Sequence, residues 1–270
     1  MLKSPLIDRL ITEKKGKPII LGHRGVRNGD VPENTLGAFE EAFKRGASGI
    51  EIDVESTLDG ELIVINRWFL KSQFDVFPWE KSREEILQLA RKKDIEIPTF
   101  LAVCQFIKKR ENTIFNVEIK SSHHFICHTA RKAIDIIRSQ DIDSQVIISS
   151  FDMNTLLTTR FYHHTIETAY LFRSVDRVVK LDDKKTWRYK INSLINRTGI
   201  KGIIVGVDTL HPEISLFPEN VDQKQNLWQS LARRMDKRVN AWTVETQEDL
   251  EKAMSAGARI VISDNVKSII

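Results

Sequence analysis

The chain has 270 residues, 41% hydrophobic and 29% charged, with two cysteines and a formal charge of +4. That is enough apolar chain for one large α/β domain (1–270) without staples, and two cysteines, Cys104 and Cys127, read as small buried hydrophobes in a reducing compartment. The basic excess is too small for a dedicated nucleic-acid binder, no run of roughly 18 apolar residues offers a membrane span, and the charge-broken opening segment MLKSPLIDRLITEKKGKP lacks the apolar core of a secretory signal, which points to the cytoplasm.

A short helix is expected over Leu6–Leu10, then a buried strand over Pro18–Leu21 and a loop rich in glycine (Gly22, Gly25, Gly29). Pro32-Glu33-Asn34-Thr35 opens a helix with Asn34 as its cap, an apolar stripe at Leu36, Phe39, Ala42 and Phe43, and Gly46 as its stop. The second strand is Ser48–Val54. Only Glu55–Gly60 separates it from the third, Leu62–Asn66, and a parallel crossover needs about a dozen residues or more. No helix fits there, so the chain folds back at Asp59-Gly60 and rises again as the third strand. Arg67–Trp79 reads as irregular, Ser82–Lys93 as a helix, and Ile97-Pro98-Thr99 as the lead into a helix over Phe100–Lys109.

A fourth strand follows at Thr113–Ile119, a helix at Ser122–Ser139, a fifth strand at Val146–Phe151, a helix at Asn154–Tyr162 and a strand at Glu167–Phe172. Arg173–Thr198 is charged and partly periodic, in keeping with one or two helices. Gly202–Val205 reads as a strand, Gln223–Asp236 as a helix, Val239–Val244 as a strand, Thr246–Ala256 as a helix and Arg259–Ser263 as the last strand. Strands alternating with helices predict a parallel sheet. The length is close to the roughly 250 residues of a (β/α)8 barrel, although nine strand candidates compete for eight places.

Polar residues gather at the ends of these strands. Glu51 and Asp53 are two apart and share a strand face. Facing carboxylates repel, and a hard divalent cation with oxygen ligands relieves that repulsion; Glu118, ending the fourth strand, offers a third ligand. His23 ends the first strand, beside Arg24, a planar phosphate binder. Lys120 shares the face of Glu118 and suits an anionic substrate oxygen, or simply pairs with the carboxylates. His123, His124 and His128 follow the fourth strand; they fit either a polar helix start or a substitute acid or metal site, with His124 and His128 on one helix face. The basic runs Arg91-Lys92-Lys93, Lys108-Lys109-Arg110 and Arg233-Arg234 read as solvated helix faces.

In order along the chain stand His23-Arg24-Gly25, Pro32-Glu33-Asn34-Thr35, Glu51-Ile52-Asp53-Val54, Thr57-Leu58-Asp59-Gly60, Ile97-Pro98-Thr99, Glu118-Ile119-Lys120, Ser150-Phe151, Trp242-Thr243-Val244 and Ile262-Ser263-Asp264. This order resembles the glycerophosphodiester phosphodiesterases over nearly the whole length. The resemblance implies an irregular (β/α)8 TIM barrel lacking the helix between strands 2 and 3. It implies a divalent cation, Mg²⁺ or Ca²⁺, held by Glu51, Asp53 and Glu118. It also implies phosphate binding by Arg24 and Lys120, His23 as one of two acid/base histidines, and Trp242 on the pocket floor. The substrate class implied is a small phosphodiester or lysophospholipid, cleaved to an alcohol and glycerol 3-phosphate.

The sequence departs from that pattern at one position. Where relatives carry H-D after the third strand, this chain has Asn66-Arg67. An amide donates a hydrogen bond but exchanges no proton near neutral pH, and arginine stays protonated. Loss of one acid/base group costs about 10²- to 10⁴-fold in rate. Two outcomes follow: a weakened phosphodiesterase, or a relative that binds phosphodiesters or phospholipids without turning them over. Asn66→His is expected to raise turnover at least about tenfold.

Overall fold

A computed structural model of the protein describes residues 4–27, 31–120, 127–174, 195–218 and 227–270. Helix α1 (Pro5–Glu13) precedes β1 (Ile19–His23), α2 (Leu36–Lys44) and β2 (Gly49–Ser56). Next come β3 (Leu62–Val64), α3 (Arg67–Phe74), α4 (Arg83–Arg91), α5 (Phe100–Lys108) and β4 (Ile114–Ile119). Then follow α6 (His128–Ser139), β5 (Val146–Ser150), α7 (Met153–Tyr162), β6 (Glu167–Phe172), α8 (Ile200–Val205) and β7 (Thr209–Pro212). The chain ends with α9 (Leu227–Arg234), β8 (Arg238–Ala241), α10 (Gln247–Ser255), β9 (Ile260–Ser263) and α11 (Val266–Ile269).

Eight parallel strands close into a barrel, because β1 pairs with both β9 and β2 while β2, β4, β5, β6, β7, β8 and β9 follow one another round the ring. The irregular (β/α)8 barrel expected from the sequence is therefore present. The surplus strand is β3. It runs antiparallel to the end of β2, pairing Val54 with Val64 and Ser56 with Leu62, and it is not a barrel stave. The chain thus folds back at the Thr57–Glu61 turn, as expected, but does not rise again; β3 is the descending limb.

Between β3 and β4 the excursion carries its own small core of Ile63, Ile65, Leu70, Ile86, Ala90 and Ile97, which seats α3 and α4 beside the barrel rim. Inside the barrel, Ile19, Leu21, Ile114, Ile147, Ala169, Ile260 and Ile262 pack together, and Ile7 of α1 joins them, so α1 plugs the end opposite the strand tips. Arg238 ties this plug down, 2.5 Å from Asp8 Oδ1 and 2.5 Å from the buried Glu167 Oε1.

Several expected elements need correction. Gly202–Val205 lies in α8, and the seventh strand is Thr209–Pro212. Arg67–Phe74, read as irregular, is a helix capped by Asn66, whose Oδ1 accepts from Trp68 N at 3.0 Å and Phe69 N at 3.3 Å. The cap of α2 is Thr35, accepting from Ala38 N at 3.1 Å. Asn34 sits one residue earlier in the left-handed region, at φ 60°. His128 opens α6, while His123 and His124, like Gly29 and most of Arg173–Thr198, lie outside the described residues. Cys104 and Cys127 are both buried and free. Among the described residues no helix is long and apolar enough to cross a membrane.

Candidate active site

β1, β2 and β4 are neighbours in the barrel, and their register decides what meets at the rim. His23 stands beside Glu51, and Asp53 beside Glu118. One carboxylate oxygen from each of Glu51, Asp53 and Glu118 lies within 4.8 Å of the others, and the three residues are 2%, 0% and 7% exposed. The geometric expectation is therefore met: three acidic side chains converge at the strand tips, beside His23.

The turn after β1 supports the cluster. Arg24 (φ 54°) and Gly25 (φ 82°) are both left-handed, and a Cβ on Gly25 would stand 2.6 Å from the Ala38 backbone. This tight turn aims the backbone N–H of Arg24 at Glu51 Oε2, 3.0 Å away. The Arg24 guanidinium lies 2.8 Å from Asp53 Oδ2 and donates to Glu33 Oε1 at 2.7 Å. Asn34, in its left-handed conformation, makes two bonds to Asp53, accepting from its N–H at 3.2 Å and donating to Oδ2 at 3.3 Å. Asn66 Nδ2 donates to the same oxygen at 3.0 Å, so its amide spans a buried carboxylate and a helix start. Arg67 turns away from the cluster and forms a two-pronged pair with the buried Glu55.

The charges are unevenly matched. Lys120 Nζ is 2.5 Å from Asp53 Oδ1 and 2.5 Å from Glu118 Oε1. Burial alone would raise the Asp53 carboxyl, but Lys120 and Arg24 hold it well below the usual carboxylate range. The same carboxylates keep Lys120 protonated against its burial. Glu51 has the opposite fate. Burial pushes it up to about 7, and the charges of Asp53 and Glu118 add to the shift, against the pull of His23 and Lys120. Its Oε1 is buried with no hydrogen-bond partner. An unsatisfied buried carboxylate oxygen is costly. Three hard oxygen donors, one of them lacking a partner, fit a divalent cation.

His23 is held from its other side. Nδ1 lies 2.5 Å from Asp264 Oδ1, just past β9, and Nε2 lies 3.8 Å from Glu51 Oε2. Burial would raise the Asp264 carboxyl, but the bond to His23 and the charges of Arg27 and Arg24 hold it below its ordinary value. A carboxylate on Nδ1 fixes the imidazole with Nε2 turned to the cavity. Asp264, Arg27 and Glu33 received no role from sequence reasoning. The available signal for Asp264 was its position straight after the last strand, which must pair with the first once the barrel closes.

Above the cluster opens a cavity of about 330 Å³ lined by His23, Arg24, Glu51, Asn66, Glu118, Lys120 and Trp242, and further by Trp68, Asn116 and Ser150. Trp242 is anchored by a 2.7 Å bond from Nε1 to the His211 carbonyl, and its ring makes a T-shaped contact with Phe151, centroids 5.6 Å apart. All eight residues singled out from the sequence thus meet in one place: seven line the cavity, and Asp53 lies in the layer beneath it.

The sequence profile of the glycerophosphoryl diester phosphodiesterase family matches residues 23–268. The chain belongs to that family. A glycerophosphodiester phosphodiesterase of Caldanaerobacter subterraneus subsp. tengcongensis is 27% identical over 269 aligned positions, covering 94% of this chain and 97% of the relative. One from Bacillus altitudinis is 31% identical over 165 positions, 58% of this chain and 67% of the relative. Among solved structures, the fold is shared with the glycerophosphodiester phosphodiesterase of Thermotoga maritima (TM-score 0.65, 23% identity, 93% and 96% of the two chains). It is also shared with an Oleispira antarctica phosphodiesterase in complex with its product sn-glycerol-3-phosphate (TM-score 0.70, 21% identity, 93% and 95%). The motif order that suggested this phosphodiesterase family therefore identified it correctly, and the short β2–β3 turn belongs to a chain of that family.

Proposed function

We propose that this protein, as one domain over residues 1–270, hydrolyses glycerophosphodiesters to an alcohol and sn-glycerol 3-phosphate, using Mg²⁺ or Ca²⁺ held by Glu51, Asp53 and Glu118. The observation that carries this is the convergence of three buried carboxylates within 4.8 Å of one another beside a His23 braced by Asp264. When bound, the cation polarises the phosphoryl oxygens and offsets developing charge. The chain's own residues do the rest. Arg24 and Lys120 face the phosphoryl group and neutralise it as the transition state forms. Asp53, fixed by Asn34, Asn66 and Arg24, keeps its geometry without reorganising.

His23 Nε2 takes the proton from the attacking oxygen as a new P–O bond forms and the bond to the leaving alcohol breaks. Attack by water gives glycerol 3-phosphate directly, whereas attack by the glycerol hydroxyl gives a cyclic phosphate whose ring P–O bond a water then opens, the freed ring oxygen taking up a proton. Asp264 stabilises the resulting imidazolium. The leaving alkoxide has no dedicated acid, because the Asn66 amide exchanges no proton and is already engaged with Asp53 and α3. It takes its proton from solvent, so turnover is expected to lie about 10²- to 10⁴-fold below that of a relative with two histidines.

One observation favours a second reading. Asn66 is satisfied as a structural residue, and a chain with intact phosphate contacts but a single imidazole could bind without turnover. Release of sn-glycerol 3-phosphate from glycerophosphocholine and glycerophosphoglycerol, with Mg²⁺ or Ca²⁺ and then with a chelator, separates the two. Metal-dependent release supports hydrolysis; substrate binding with no release supports the binder.

A further inference from the structure

The site cavity continues sideways. A second cavity of about 290 Å³ adjoins it at the end of β6, and the two share Phe151, Leu171 and Arg173 as a common wall. The second is lined further by Tyr170, Phe172, Asn196 and Lys201, with no acidic side chain among its described lining residues. Its two cations differ from those of the main site. Arg24, Arg67 and Lys120 are each bound to carboxylates. Among the described residues Arg173 and Lys201 have no carboxylate partner: the Arg173 guanidinium lies 5.3 Å from the Phe151 ring centre, and Lys201 Nζ donates to Asn196 Oδ1 at 2.8 Å.

We propose that this side cavity is the leaving-group subsite and that it selects glycerophosphodiesters whose alcohol carries a second phosphate group. The inference rests on the reading of the main cavity as the phosphodiester site. With the scissile phosphate among Arg24, Lys120 and the acidic cluster, the alcohol must leave through an open side. Along β5 and β6 that side offers an aromatic wall for a carbon skeleton and, beyond it, two cations with charge to spare. A guanidinium presents paired donors to phosphate oxygens, and an ammonium adds a point charge. A neutral alcohol meets the rings alone. A quaternary ammonium such as choline could face the Phe151 ring, but Arg173 already occupies that approach, and two like charges stand against it.

The test compares three substrates that differ in the leaving alcohol, using the full chain with Mg²⁺: glycerophosphocholine, glycerophosphoglycerol and bis(glycerophospho)glycerol. The expected kcat/KM for the last is about tenfold above glycerophosphoglycerol, as charge-assisted bonds at a partly exposed site would give, and glycerophosphocholine ranks lowest. In the double variant Arg173→Met, Lys201→Met the ratio between the first-ranked and the neutral substrate falls to about one, and raised salt compresses it in the unmodified chain. A melting curve establishes that the variant folds. A flat ranking in the unmodified protein, or a ratio that survives the double substitution, overturns the proposal. Should no substrate be turned over, the hydrolytic reading fails and the subsite is still tested: calorimetry must find bis(glycerophospho)glycerol bound about tenfold more tightly than glycerophosphoglycerol, with the difference removed by the double variant. Equal affinities overturn it.

Discussion

Asn66→His restores the residue that the motif order leads one to expect, and its effect on stability and on rate can be worked separately. The Asn66 amide does two jobs. Its Oδ1 caps α3 through Trp68 N and Phe69 N, and its Nδ2 donates to a buried oxygen of Asp53. An imidazole cannot hold both positions. Loss of the cap costs about 1 kcal/mol, and loss of a donor to a buried carboxylate about 1 to 3 kcal/mol. The variant is therefore expected to be about 2 to 4 kcal/mol less stable, or roughly 5 to 10 °C lower in Tm for a chain of this size. The same change supplies a second exchangeable proton at the rim, so kcat should rise at least about tenfold despite the lower stability. The pH profile should change with it, gaining a second limb from the new imidazole. Thermal melting and initial rates of glycerol 3-phosphate release across pH 5 to 9 read both effects. A Tm that falls as expected with no gain in rate and no second limb would refute the assignment of position 66 as the missing proton donor.

Three further outcomes follow from the same geometry. Asp264→Asn leaves the size of the His23 partner intact but removes its charge; kcat should fall about 10²-fold with KM little changed. Glu51 is lifted from 4.5 to about 7 in the metal-free fold, so the stability it contributes is full below about pH 4.5 and is lost as pH rises through 7. Metal-free Tm should therefore decline between pH 5 and 8, while Mg²⁺ binding near pH 6 releases close to one proton per ion, a figure that calorimetry in buffers of different ionisation enthalpy reads directly. Arg238→Met removes the partner of Glu167, which is 2% exposed; an uncompensated buried charge of this kind costs about 3 to 5 kcal/mol, measurable as a fall in the urea midpoint.

The parts of the fold that sequence reasoning recovered are those with strong local signatures. Glu51 and Asp53 share a face because strand side chains alternate, and in Ile114–Ile119 the apolar Ile114, Phe115, Val117 and Ile119 mark a buried strand. The failures have equally local causes. Ile203–Val205 is a β-branched run, yet it lies in the short helix Ile200–Val205 bracketed by Gly199 and Gly206, both left-handed, while Thr209–Pro212 carries a buried His211 and a proline that disguise a strand. Burial holds that histidine neutral, down to about 3. Arg67–Phe74 has aromatic residues where a periodic stripe was sought, and its start is marked by a cap whose other hand is on Asp53. Asn34 resembled a cap by type and position, but its side chain was taken by a strand nineteen residues on. Asp264 acquires its partner only when β9 closes against β1, 241 residues back along the chain, a contact that local pattern does not encode.

The central claim is that Glu51, Asp53 and Glu118 share one divalent cation, and direct titration tests it without reference to turnover. Calorimetry of the chelator-treated protein with Mg²⁺ and with Ca²⁺ should find one ion per chain. Glu51→Gln and Glu118→Gln should each weaken it by at least the roughly 100-fold that loss of even an outer-shell partner can cost. No binding to the unmodified chain, or an affinity untouched by either substitution, would contradict the account.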